Sequence, residues 1–319
     1  MIYLTKIHVY GKEHKFVYNM ANTCNSGKNK TMKMRKILYT LIISLVVIST
    51  AQAERYKHEK ASKGGTPPGT AANCTPATAA TELDINNVKA LIQSGGDMWW
   101  DFNRARYEIP QGSEKTSLFA GSLWLAGQDV SGQFKVAALR FRQVGNDYWT
   151  GPLSTVNSEI DPQTCRDYDR HWKSEKSQVA EYAAYYAATV IAAEEGTPLP
   201  EQYEGYTVPD VIKDWPAHGR NFEPYNEDFY LAPFFDNNGD GEYNYQDGDY
   251  PGYVLSGKSD CSRRVRDIYG DQNLWWVFND KGNIHTESGG QAIGMEIRAQ
   301  AFAFATTDEV NNMTFYNYE

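Results

Sequence analysis

The chain has 319 residues, of which 41% are hydrophobic and 22% charged, and its formal net charge is −9. Such a chain can build a substantial core, and its mean hydropathy of −0.60 excludes a protein with several membrane spans. Residues 1–53 hold 8 of the 31 Lys and Arg residues but 1 of the 40 Asp and Glu residues, so residues 54–319 carry 23 basic and 39 acidic side chains, a net charge of −16. Because so acidic a body repels phosphate backbones, we expect no nucleic-acid partner.

A secretory signal peptide is predicted at residues 34–53. Residues 34–36 are basic in character, residues 37–48 form a 12-residue apolar stretch, and Ala51-Gln52-Ala53 has the small residues of a cleavage site. Twelve apolar residues are too few to cross a bilayer, which takes roughly 20. We therefore expect cleavage, export and no membrane span in the mature chain, with an uncleaved anchor as the alternative.

The rest of the chain divides into three segments. Residues 1–33 show no periodic pattern, and we interpret them as a mis-assigned start. Residues 54–82 are poor in large apolar side chains and rich in Thr, Ala, Gly and Pro, which is typical of a flexible linker. Residues 83–319 form the predicted folded domain. We expect this domain to be truncated at its C-terminal end, because the aromatic strand predicted at 312–318 would otherwise be left at a sheet edge.

The body of the chain is predicted to be rich in strands. Its first element is an exception: apolar residues from Ile85 to Ile92 predict a short helix that ends at Gly95-Gly96. Residues 117–126 and 133–142 are rich in β-forming residues and flank a turn-like segment, which predicts a hairpin.

One long helix and three further strands follow. Residues 174–195 place apolar side chains at helical spacing, beginning with Val179, Tyr182 and Tyr186, and they end before Gly196. Strands are predicted at 274–278, 295–306 and 313–318. The predicted fold class is therefore mainly β, with sandwich-like antiparallel sheets and one helical insertion around 174–195.

Three cysteines remain after removal of the signal peptide, namely Cys74, Cys165 and Cys261. None belongs to a CxxC pair, which excludes a zinc ribbon and a thioredoxin-like motif. In an exported protein we expect one disulfide, and we favour Cys165–Cys261 because Cys74 lies in the predicted linker. The alternative is that all three are unpaired.

The most specific pattern in the chain is the twelve-residue segment at 236–247. Hard cations such as Ca²⁺ bind six to eight oxygens, and loops of this kind supply them from positions 1, 3, 5, 7, 9 and 12, with glycine at position 6. Gly241 occupies position 6, and Asp at position 12 resembles the loops of dockerins and thrombospondin type 3 repeats. The predicted ligands of one structural Ca²⁺ are Asp236, Asn238, Asp240, the main-chain carbonyl of Glu242, Asn244 and Asp247. The alternative is a polar surface turn without an ion.

The aromatic and acidic residues leave two functions open. The eight tryptophans fit either core packing or glycan stacking on exposed rings. Asp97, Asp101 and Glu108 near Trp99-Trp100 could line a hydrolytic cleft. No GxSxG, Walker or GxGxxG motif occurs, and the histidines of the body have no metal-ligand spacing, so an enzyme has no positive support from a motif.

Several stretches of the body are familiar as a set. They lie at 95–101, 118–124, 145–153, 215–219, 236–251 and 311–316. Together they resemble the N-terminal region of large secreted Bacteroidota proteins that end in a type IX secretion sorting domain. The resemblance covers about residues 83–319 and implies export, passage of the outer membrane by the secretion machinery, and surface attachment or release. The sorting domain itself is absent from this sequence.

These observations favour a secreted or cell-surface, calcium-stabilised β-rich protein with a non-enzymatic role in adhesion or a surface layer. Its expected partners are the secretion machinery and glycans or other surface proteins. A carbohydrate-active enzyme or a glycan-binding module is the alternative.

Overall fold

The computed structural model describes residues 2–4, 71–255, 264–266 and 268–319, and the side chains of 71–252 and 268–319. Its helices are α1 (Pro162–Asp167), α2 (Lys176–Glu195) and α3 (Asp210–Lys213), with 3₁₀ turns at Glu201–Tyr203, Tyr245–Asp247 and Glu309–Asn312. Its strands are β1 (Ile2–Leu4), β2 (Ala80–Leu83), β3 (Lys89–Gln93), β4 (Asp97–Met98), β5 (Tyr107–Glu108), β6 (Thr116–Leu118), β7 (Gly121–Ser122), β8 (Trp124–Gln128), β9 (Phe134–Ala138), β10 (Trp149–Thr150), β11 (Trp172–Glu175), β12 (Phe234–Phe235), β13 (Tyr250–Pro251), β14 (Tyr253–Leu255), β15 (Arg264–Arg266), β16 (Gln272–Asn279), β17 (Glu296–Ala303) and β18 (Phe315–Tyr318).

Two larger sheets carry the fold. The first has the order β1-β18-β17-β16-β10, with β11 also pairing with β16, and the second has the order β6-β5-β3-β4-β7, with β2 also pairing with β3. These pairs are antiparallel except β1 with β18, which is parallel. Three two-stranded ribbons are formed by β8–β9, β12–β13 and β14–β15. The mainly β, sandwich-like fold predicted from the sequence is confirmed.

The first sheet is buried on both faces. Alternate residues of β16, such as Trp276 and Phe278, pack with Ile92 of the second sheet, while Trp275 and Val277 pack on the opposite face. The opposite face is covered in part by the helical insertion. Side chains on both faces of a strand buried in this way must be apolar, which explains the continuous apolar run at 274–278.

The local predictions have mixed outcomes. The helix expected from Ile85 to Ile92 is wrong, because this segment contains β3, whose backbone pairs with β2 and β5. The hairpin is confirmed in shorter form by β8 and β9. The long helix is also confirmed, but it begins at Lys176, since Trp172–Glu175 pairs with β16 as β11. None of the described helices is long and apolar enough to cross a membrane.

The disulfide expected between Cys165 and Cys261 is wrong. Cys165 is bonded to Cys74, and the two Cα atoms lie 6.0 Å apart. Residues 71–82, which composition assigned to the linker, are packed on the body: the Asp169 carboxylate accepts hydrogen bonds from the backbone N–H groups of Thr78 (2.9 Å) and Ala79 (3.0 Å). Cys261 lies outside the described residues, as do the predicted signal peptide and residues 5–33.

Candidate functional site

The predicted ligands lie in one loop that joins two paired strands. β12 and β13 pair antiparallel, with Phe235 opposite Tyr250, so the two ends of the loop are held side by side. All six predicted positions lie between these strands. We call residues 236–247 the cation loop.

The first half of the cation loop folds around the carboxylate of Asp236. This carboxylate accepts hydrogen bonds from the backbone N–H groups of Gly239 (2.7 Å) and Gly241 (2.8 Å). Gly241 has a φ of 82°, in the left-handed region that favours glycine, so the sharp turn predicted at position 6 is present. Asp240 accepts from the backbone N–H of Glu242 and from the side-chain amide of Asn238, both at 2.8 Å.

The second half is a single 3₁₀ turn that follows Asn244. The side-chain oxygen of Asn244 accepts from the N–H of Gln246 (3.0 Å), and its amide nitrogen donates to the Asp247 carboxylate (2.7 Å). The turn ends at Gly248. A side chain at Gly248 would meet the ring of Tyr186 on α2, so the loop and the helix approach closely there.

Two residues that the sequence did not single out hold the loop in place. The buried carboxylate of Asp249 accepts from the backbone N–H groups of Asn237 and Asn244, both at 2.8 Å, and so ties the two halves together. Burial raises the pKa of Asp249, and these N–H groups oppose the shift only in part. His218 accepts from the N–H of Tyr243 through Nε2 at 2.7 Å. Asp249 lies two residues beyond the twelve-residue pattern, so the pattern could have drawn attention to it. His218 is distant in sequence, and no pattern indicates that it contacts the loop.

The cation loop contains all six predicted positions, but its carboxylates do not form a metal-binding group. Among the side chains that the structure describes, no group of three or more His, Cys, Asp or Glu is arranged to hold a metal ion. Asp240 and Asp247 instead each accept a hydrogen bond from a neighbouring asparagine amide. Backbone and amide donors thus surround the three carboxylates.

A cavity of about 220 Å³ lies elsewhere, and its lining includes Pro152, Ser154, Asp161, Tyr225 and Glu227. Its acidic side chains Asp161 and Glu227 already have partners. Asp161 accepts backbone N–H groups at the start of α1, and Glu227 accepts from the guanidinium of Arg220 at 2.6 Å. No pattern in the sequence indicates this cavity.

The tryptophans mostly serve the core. Five of the eight are buried, namely Trp149, Trp172, Trp215, Trp275 and Trp276, so no groove lined by three exposed tryptophans is formed. Trp124 is the exposed one, with 68% of its surface accessible.

The acidic residues considered for hydrolysis are engaged within the protein. Asp97 is buried and pairs with Arg142 at 2.8 Å, and Asp101 lies 3.6 Å from Arg106. Glu108 accepts the backbone N–H of Glu114.

No protein-family model, no curated protein and no solved structure matches the chain. The function is therefore inferred from the residues themselves, among which the cation loop has the most specific chemistry.

Proposed function

We propose that this protein is secreted or displayed on the cell surface, where it has a non-enzymatic role in adhesion or a surface layer. We also propose that one Ca²⁺ bound at the cation loop stabilises its β-rich domain. The signal-peptide pattern at 34–53 supports export. The resemblance to type IX secretion cargo supports a route through that machinery. The lack of any catalytic motif in the sequence favours a role in binding or assembly over one in catalysis.

The observation that carries the calcium proposal is the course of the loop around Asp236. The two N–H groups that bind its carboxylate belong to positions 4 and 6, so the sharp turn at the glycine of position 6, which such loops share, lies beside the ligand of position 1. Five side chains and one main-chain carbonyl then offer enough oxygens for Ca²⁺. The ligands would be Asp236, Asn238, Asp240, the Glu242 carbonyl, Asn244 and Asp247. On binding, Asp240 and Asp247 would exchange their asparagine N–H donors for the cation.

The surroundings of the loop favour a structural role over a switch. β12 and β13 hold both ends, Asp249 joins the halves, and the Tyr182 hydroxyl on α2 donates to the carbonyl of Tyr245. Because these contacts fix both ends and both halves of the loop, calcium has little room to move neighbouring elements. It would relieve the mutual repulsion of three carboxylates and order the loop.

Calcium is expected to raise the stability of the domain. Asp247 is shorter than the Glu of high-affinity loops, so we expect a dissociation constant of about 10⁻⁴–10⁻³ M. Calcium at about 100 times that value should add about 2.7 kcal/mol to the free energy of unfolding, because the ion binds only the folded state. Asp240→Ala should remove most of this gain. The measurement is thermal melting in chelator and in calcium at about 10–100 mM, which is about 100 times the expected dissociation constant, with calorimetric titration of calcium.

Asp129→Ala is the matched control. Asp129 is partly exposed and also accepts backbone N–H groups of a turn, from Ser131 (2.9 Å) and Gln133 (3.0 Å), but it lies in the β8–β9 hairpin. Its variant should keep the full calcium response. Identical melting midpoints with calcium and chelator in the unaltered protein, with no heat of binding, would refute the calcium site.

Glycan binding is the second candidate, and exposed aromatic side chains favour it. Phe119 and Trp124 are 54% and 68% exposed, and the ring of Trp100 lies 4.5 Å from that of Phe119. Exposed aromatic rings are suited to stacking on sugars. A glycan array should show binding by the unaltered protein and loss with Trp124→Ala; binding that survives this substitution would exclude the Trp124 surface.

A further inference from the structure

His285 is a buried histidine between two buried carboxylates. It lies in the connection between β16 and β17, and its side chain is 1% exposed. Its Nδ1 lies 3.6 Å from Asp147 and its Nε2 lies 3.9 Å from Asp280, and both of these carboxylates are fully buried.

The nearest partners of the ring determine its protonation. Nδ1 lies 2.8 Å from the carbonyl oxygen of Val136, and Nε2 lies 2.7 Å from the carbonyl oxygen of Asp280. Carbonyl oxygens only accept hydrogen bonds, so each ring nitrogen must carry a hydrogen to satisfy its contact. A neutral imidazole has only one N–H, and the second nitrogen would face a carbonyl with lone pair against lone pair.

We propose that His285 is an imidazolium at neutral pH. Its two N–H groups then join the β16–β17 connection to the segment from β9 to β10. The buried cation is compensated by Asp147 on one side and Asp280 on the other. A buried charge is tolerated when it is paired and hydrogen-bonded in this way.

The two carboxylates beside His285 bind further backbone groups of the connection. Asp147 accepts the backbone N–H groups of Glu287 (3.0 Å) and Ser288 (3.2 Å), and it also accepts the N–H of Ala138 (3.0 Å). Asp280 accepts those of Gly294 (2.9 Å), Met295 (2.7 Å) and Ile293. One imidazolium thus lies between two anions, of which Asp147 binds the middle of the connection and Asp280 joins its first residue to its last three.

Other titratable and charged groups lie around this site. Burial, with the charges of Asp280 and Asp147, raises the pKa of Tyr148, so its phenol stays neutral. Burial also raises the pKa of Asp280, and its N–H donors and His285 oppose that shift. The remaining charges near the connection are paired with each other, as Arg140 with Glu287 and Lys281 with Glu159. The proton on His285 therefore supplies a positive charge that offsets one of the two negative charges of Asp147 and Asp280.

The other two histidines of the body provide internal references. His218 faces a carbonyl through Nδ1 and a backbone N–H through Nε2, so it is neutral with its hydrogen on Nδ1. Both ring nitrogens of His171 are buried without a hydrogen-bond partner in the described part of the chain, and burial lowers its pKa to about 3. The three histidines should therefore show three different states in one sample.

The test is nitrogen–proton NMR of the ring resonances in the unaltered protein at about pH 8, where an ordinary histidine with a pKa of about 6.5 is neutral. We expect two N–H groups and imidazolium nitrogen shifts for His285, one N–H at Nδ1 for His218, and a neutral ring for His171. A neutral His285 with one unprotonated nitrogen at that pH would overturn the proposal. This measurement requires no variant and cannot fail through misfolding.

A second measurement tests whether the charge on His285 stabilises the folded protein. Gln at position 285 can donate and accept but carries no charge, so His285→Gln should be less stable than the unaltered protein at neutral pH. Because both carbonyl contacts of the ring require the second N–H, the stabilisation by His285 should be present at low pH and lost as pH rises. The gap in denaturant midpoint between the two proteins should therefore narrow at alkaline pH. A gap that is constant with pH would show that His285 only fills space.

Discussion

Replacing Cys74 and Cys165 together with alanine is expected to lower the free energy of unfolding by about 4–5 kcal/mol. The bond joins residues 91 positions apart, and closing so long a loop removes much of the freedom of the unfolded chain. Both cysteines are buried and pack with Trp149, so part of the loss also comes from the folded core. The measurement is denaturant unfolding of the oxidised protein and of the variant.

Cys261→Ala is the control for this prediction. It removes a cysteine that is outside the observed bond, and it should leave the unfolding midpoint and the Cys74–Cys165 peptide cross-link unchanged. Peptide mapping that recovers Cys165 joined to Cys261 would contradict the structure. A double variant as stable as the unaltered protein would show that the bond does not constrain the unfolded chain as expected.

The folded position of residues 71–79 does not depend on the disulfide alone. The N–H of Cys74 donates to the carbonyl of Gly282 (3.0 Å), and its own carbonyl accepts from the amide of Asn283 (3.2 Å). Asp169 binds the backbone of Thr78 and Ala79. We therefore expect the double variant to keep its native fold at neutral pH.

The sequence was informative where the pattern is local. The continuous apolar run in β16 and the helical spacing in α2 predicted the right elements, and the spacing of Asp, Asn and Gly predicted the sharp turn of the cation loop. The composition of residues 71–82 was misleading, because the partners that order this segment, such as Asp169 and Gly282, are distant in sequence. The apolar residues between Ile85 and Ile92 fit a helix or a strand equally well, and pairing with β2 decided the outcome.

The states of the histidines could not be predicted from the sequence for the same reason. No spacing of acidic residues around His285 or His171 distinguishes them. One ring lies between two carbonyl oxygens and two carboxylates, and the other packs edge-to-face on Trp276 with ring centroids 5.2 Å apart. Only the packing of the sheets creates these two different surroundings.

Acid is expected to destabilise the protein through His171. Burial lowers the pKa of His171 to about 3, and the nearby Asp169 opposes this only in part. In the unfolded chain a histidine takes up its proton near a pKa of about 6.5, so between these values the unfolded state binds one more proton than the folded state. Stability must then fall as pH decreases through this range, by about 1.4 kcal/mol per unit, or about 4–5 kcal/mol by pH 3.

His171→Leu isolates this contribution. Leucine has no group to protonate, and it also removes two buried nitrogens that have no hydrogen-bond partner in the described structure, so at neutral pH the variant should be at least as stable. The carboxylates titrate in both proteins, and their effect cancels in the difference between the two free energies of unfolding. That difference should grow in favour of the variant from about pH 6.5 downwards, measured by denaturant unfolding at successive pH values. If it stays constant over this range, the ring of His171 has an ordinary pKa and must reach water or a hydrogen-bond acceptor in solution.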